Sequence, residues 1–120
     1  MIVLAFALAA PTPLTDVHQR DIACVVEIAV LADAQKRGLA GGADMQSSGR
    51  RWAGIVGDRI MFETGQPREL VAVAMNEAAK SRATRSIDNE AVAACSRQIK
   101  AELAIAAAAD APLPKPVKAQ

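Results

Sequence analysis

Residues 22–32 read IACVVEIAVLA, eleven positions of which only Glu27 is polar. Charged flanks surround the run, DVHQRD before it and DAQKRG after it. A segment apolar around nearly its whole circumference has to be wrapped by other elements. Its four β-branched residues, Val25, Val26, Ile28 and Val30, are compatible with a strand. The pattern nevertheless continues for over twenty residues without a turn signal, and strands are seldom that long. The stretch is therefore predicted as a helix, capped by Thr15 or Asp16, running to Lys36 and Arg37, and stopped by Gly38.

Three more helical patterns are available to wrap it. Gly38 to Gly49 reads GLAGGADMQSSG, which lacks the glycine spacing, lysine and hydroxyl of a phosphate-cradling loop and reads as a linker. A second helix follows from about Ser47 or Ser48 to Thr64-Gly65, with Trp52, Ile55, Val56, Ile60 and Met61 on its apolar face and Arg51, Asp58 and Arg59 elsewhere. Gly65-Gln66-Pro67-Arg68-Glu69 is a sharp boundary: Gly65 suits a left-handed cap, Pro67 a first helical position and Glu69 a first turn. The third pattern turns Leu70, Val71, Ala74, Met75 and Ala78 inward and frays through Lys80–Arg85. The fourth, capped by Ser86 or Asp88, carries an inward stripe of Val92, Cys95, Ile99, Leu103 and Ala106 at spacings of three and four, and Pro112 ends it near Asp110. The fold class expected is all-α, a small four-helix bundle-like domain.

Composition agrees. The 120 residues suit one domain, 52% hydrophobic and 22% charged. Alanine supplies 27 residues, tyrosine is absent, and Phe6, Trp52 and Phe62 are the only aromatics, a core composition for closely approaching helices. Net charge is +1 with the signs interspersed, which gives no electrostatic footprint for nucleic acid. The basic trio Lys80, Arg82 and Arg85 sits among Glu77, Asp88 and Glu90 and reads as a solvated helix end.

The N-terminus, MIVLAFALAA, is a short apolar run, and Ala7-Leu8-Ala9 fits the small-x-small pattern before a secretory cleavage site. We expect residues 1–9 to be a signal peptide, 10–111 the helical domain, and 112–120 a proline-rich extended tail. The run lacks a Lys or Arg ahead of it, and the competing expectation is an N-terminal element packed on the domain. It is too short to span a bilayer, and no other segment is an integral membrane candidate. The expected location is periplasmic or secreted, with the cytoplasm as the alternative.

Cys24 shares a helix face with Ile28 and Leu31, and Cys95 lies within the stripe from Val92 to Leu103. Two inward thiols on helices that pack together can meet, and with export they are expected to form a disulfide clamping the first helix to the fourth. Two free buried thiols are the cytoplasmic counterpart. Their spacing matches neither a redox CxxC nor a zinc site, and no metal or cofactor is expected.

Glu27 is a carboxylate inside an apolar run, the setting in which a general base is found; the plainer expectation is a polar strip or a pair with Arg51 or Arg59. His18, the sole histidine, has no ligand-spaced Cys or His and is expected on the surface. Trp52, behind Arg50 and Arg51, is either core or an exposed partner-binding anchor with Arg51. No nucleophile elbow, paired-carboxylate signature or Walker-type loop is present. These observations point to a small exported helical structural or binding protein, non-catalytic and of unassigned partner. In architecture, a small exported helical domain with one disulfide resembles the periplasmic acid-stress chaperones. That resemblance implies a second reading, a protein that exposes apolar surface when acidified. An enzyme built on Glu27 or His18 is the third.

Overall fold

The computed structural model describes residues 10–82 and 86–110. Among them are four helices and no strand: α1 (Asp16–Lys36), α2 (Gln46–Thr64), α3 (Arg68–Arg82) and α4 (Asn89–Asp110). The expected signal peptide over 1–9, the proline-rich tail over 112–120 and Arg85 lie outside the described residues.

Each boundary has a local chemical cause. At the start of α1, the Thr15 hydroxyl accepts from the His18 N–H, while the Thr15 N–H donates to His18 Nδ1. This is a capping box in which histidine takes the place of glutamate or glutamine. At the other end Gly38, with φ +73°, donates to the Gln35 carbonyl and Leu39 donates to that of Ala34, closing a Schellman turn. Gly65, with φ +72°, stops α2 in the left-handed conformation and donates to the Met61 carbonyl. Pro67 then starts α3 by accepting from Leu70 and Val71 through its carbonyl. Of the two candidate caps for α4, Asp88 is the one used: its Oδ1 accepts from the N–H groups of Glu90 and Ala91. The start of α2 lies slightly ahead of the expected serines, at Gln46, whose N–H donates to Asp44 Oδ1.

α1 is the hub. It packs against α2, α3 and α4, while α2 also touches α3 and α4; α3 and α4 do not touch each other. The core is a single cluster of Ile22, Val26, Ile28, Trp52, Val56, Ile60, Val71, Cys95 and Ile99. Enclosing each of the larger of these side chains contributes roughly 2–3 kcal/mol before entropy is counted. α1 and α2 cross so closely at Gly49 that a Cβ there would lie 2.8 Å from Ile28 Cγ2. The wrapping of α1 is incomplete, however: Ala23 and Ala29 are exposed and Val25, Val30 and Leu31 only half-buried. With three partners, one of which leaves a cleft, the helix cannot be covered on every side.

α4 buries the expected stripe, with Cys95 and Ile99 enclosed and Val92, Leu103 and Ala106 half-buried. α3 departs from expectation at Leu70, which is 52% exposed, because only Val71 of its first turn faces α1 and α2. Cys24 and Cys95 meet between α1 and α4 with Cα atoms 5.4 Å apart and their sulfurs at bonding distance, 71 residues apart in the chain.

Candidate functional site

Among the described residues the enclosed ionisable groups fall into three internal arrangements, and several clefts are open to solvent. The first arrangement joins α1, α2 and α4. Arg59 Nη1 donates to Asp21 Oδ2 at 3.3 Å and to Glu102 Oε1 at 3.1 Å. Trp52 Nε1–H donates to Glu102 Oε2, and Gln98 Nε2 donates to Asp21 Oδ1 at 2.9 Å. Burial alone would raise the Glu102 carboxyl, but the Trp52 and Arg59 donors together with the Arg59 charge outweigh it and hold the group below the usual carboxylate range. The Arg59 guanidinium is correspondingly raised, chiefly by its hydrogen bond to Glu102.

The second arrangement is between α1 and α3. Arg82 Nε donates to Glu27 Oε1 and Arg82 Nη2 to Glu27 Oε2 at 3.0 Å, a two-pronged pair with both side chains largely enclosed. Arg82 Nη2 also donates to the Ser86 carbonyl, bracing the chain beyond α3. In the third, His18 is buried, with Nδ1 accepting from Thr15 and Nε2 facing Glu63 Oε1 at 2.8 Å. An accepting Nδ1 leaves the proton on Nε2, so the ring donates to Glu63.

These placements correct several expectations. Glu27 pairs with neither Arg51 nor Arg59; its partner is Arg82, which comes from the supposed solvated trio and is itself buried. His18 is not a surface residue, because the third position of α1 turns inward beneath the α2 end carrying Glu63. Trp52 is fully enclosed and has no surface to offer as an anchor, while Arg51 stays exposed near Asp110 at 3.9 Å. A small hollow of about 240 Å³ adjoins Glu27, lined by Ala23, Val26, Ala78, Ser81 and Arg82. Both Glu27 oxygens are already committed to Arg82, and His18 lies elsewhere with both nitrogens engaged. Among the described residues no group of three His, Cys, Asp or Glu side chains is arranged to hold a metal ion. No helix among them is long and apolar enough to cross a membrane.

Beside open hollows of about 300, 410 and 500 Å³, a cleft of about 590 Å³ lies between α1, the glycine-rich connection and α4. Leu31 and Gln35, one turn apart on α1, form one wall, and Val92, Ser96, Ile99 and Leu103 form the other along a single stripe of α4. Met45 and Ser48 close the end at the start of α2. The connection that roofs it is held by one side chain: Gln35 Nε2 donates to the carbonyls of Gly41 and Ala43, and Gln35 Oε1 accepts from the Met45 N–H. Three hydrogen bonds from a single amide give an irregular glycine-rich segment a defined path. Sequence reasoning missed this cleft, because the connection was read only as a linker and the role of Gln35 depends on how the loop returns over α1.

Comparisons of the chain with protein-family models, with curated proteins and with solved structures find no match.

Proposed function

We propose that this chain is a small, exported, non-catalytic binding protein whose binding surface is the cleft between α1 and α4. The observation that carries the reading is the contrast between that cleft and the rest of the polar inventory. Glu27, His18, Asp21, Arg59 and Glu102 are all consumed by internal partners, whereas the cleft presents half-buried Leu31, Val92 and Leu103 to solvent within a defined wall. A concave, mostly apolar cleft with a few placed polar groups is the usual form of a small-molecule site. Titration with 1-decanol, followed by NMR of the methyl groups, tests it. Saturable shifts confined to Leu31, Val92, Ile99 and Leu103 support the reading; no saturable shift at any of these overturns it.

Export is supported by the cysteine geometry, since a disulfide persists in oxidising compartments. The intact mass of the protein from its native host, with and without reductant, tests this. A chain beginning at Ala10 with its thiols joined is expected, and an N-terminus at Met1 with two free thiols contradicts it.

A second reading, conditional exposure of apolar surface as in a chaperone, is favoured by α3. Leu70 and Val73 on that helix and Phe62 on α2 are exposed, and α3 is fastened only to α1 and α2. Binding of an apolar dye that rises sharply on acidification, while helix content is retained, supports this version; an unchanged compact state excludes it.

A further inference from the structure

The charged and polar groups that line the cleft narrow what it would hold. Lys100 lines it from the exposed side of α4, one residue beyond Ile99 and between Ser96 and Leu103. Among the described residues Lys100 is the one lysine or arginine that lines the cleft; elsewhere Arg37 pairs with Asp33 at 3.0 Å and Arg51 lies 3.9 Å from Asp110. Lys100 has no such ion-pair partner among the described residues. The single carboxylate that lines the cleft, Asp44, accepts from the Gln46 N–H at the start of α2. Around the apolar floor stand neutral polar groups, Ser48, Ser96 and Asn89, so the described rim offers, besides the Asp44 carboxylate at the helix start, one ammonium group and several small polar groups.

We propose that the ligand class of the α1–α4 cleft is an amphipathic carboxylate, a straight apolar chain ending in an acid. The chain lies against Leu31, Val92, Ile99 and Leu103, and the carboxylate meets Lys100 at the rim. An apolar chain alone would leave the ammonium without a counter-charge. A fully polar anion would gain the ammonium and cover none of the apolar floor. Only a molecule with both parts uses both features of the cleft.

This inference rests on the cleft being a binding site, so the experiment separates the two claims. Sodium decanoate and 1-decanol, each below its aggregation limit, are titrated against the wild-type protein and against Lys100→Gln, with methyl NMR reporting location and affinity. Lys100 is exposed, and the fold of the variant is checked by the emission of the buried Trp52. Decanoate is expected to bind the wild type more tightly than decanol and to weaken about threefold to fivefold in Lys100→Gln, the range of an exposed ion pair. Decanol should be unaffected by the substitution, and added salt should weaken only decanoate. Equal binding of both probes with no dependence on Lys100 overturns the carboxylate assignment and leaves the cleft standing. Saturable decanoate shifts that map outside the cleft overturn the assignment as well. Absence of binding by either probe overturns both claims.

Discussion

α3 and α4 both pack on α1 and α2, yet they are attached by different means. α4 is joined to α1 at Cys95, to Asp21 through Gln98, and to Arg59 and Trp52 through Glu102, with Ile99 enclosed between them. Among the described residues α3 has one enclosed apolar residue, Val71, and its polar tie to another helix is Arg82 to Glu27. Both helices carry an inward apolar pattern in the sequence, the cleaner one on α4, and both are well formed. What separates them is the number of long-range links that fix each one, and such links act only where the fold brings their partners together. The cleft lies on the firmly held side, where two walls keep their spacing because a cross-link and a polar network hold them.

Reduction of the disulfide should have the largest effect on this difference. Joining residues 71 apart restricts the unfolded chain by about 4 kcal/mol in the loop-entropy model. Thermal melting with and without reductant, compared with the Cys24→Ser, Cys95→Ser double variant, should show a loss on the order of 15 °C or more. If melting is insensitive to reductant, the two helices are not held differently in the way described.

Core truncations give the next measure. Ile99→Ala on α4 removes a fully enclosed side chain and should cost about 3 kcal/mol, whereas Val71→Ala on α3 should cost about 1.5 kcal/mol. Urea denaturation reads both, and a larger cost at Val71 would reverse the ranking of the helices.

The polar ties of α4 can be tested through pH. The carboxyl of Glu102 is held below its ordinary value in the folded state, so its charge contributes stability above the unfolded carboxyl value of about 4.3. That contribution is lost as pH falls through the lower folded value. Glu102→Gln should therefore cost about 1.5 kcal/mol at neutral pH and progressively less on acidification. A cost independent of pH would mean that the charge of Glu102 is not what ties α4 to Arg59.

The smallest effect belongs to the turn that introduces α3. Gly65 has a positive φ, and Gly65→Val should destabilise by about 1 kcal/mol in the same urea assay. An unchanged midpoint would show that this turn tolerates a β-branched residue and does not constrain how α3 leaves α2.

Most of the fold was legible because it is written in local pattern. The apolar run of α1, the α4 stripe around Cys95 and Ile99, and the stops at Gly38 and Gly65 each depend on residues within a few positions of one another. The disulfide was legible for a related reason, since two inward-facing cysteines on neighbouring helices have few other destinations. The polar pairings were not legible. Asp21, Arg59 and Glu102 are joined across 38 and 43 residues, and Glu27 with Arg82 across 55, so nothing local distinguishes Arg82 from Arg51 or Arg59 as a partner. His18 had a signal in hand, three residues after Thr15 at a capping-box position, though histidine is not the residue that pattern leads one to expect. Leu70 was placed inward because its neighbours were, and one step around the helix was enough to expose it. The cleft was hidden for the most general reason: a gap between elements is not a property of any one segment.

Native-state hydrogen exchange tests the asymmetry between α3 and α4 most directly, because it reads the opening of each helix separately. In the oxidised protein at neutral pH, amides of α3 from Val71 to Ala79 are expected to exchange through a lower-energy opening than those of α4 from Cys95 to Leu103, which should share the slow, global opening of α1. Reduction should bring the α4 amides down towards those of α3. Equal protection of α3 and α4 in the oxidised protein, unchanged by reduction, would contradict the account.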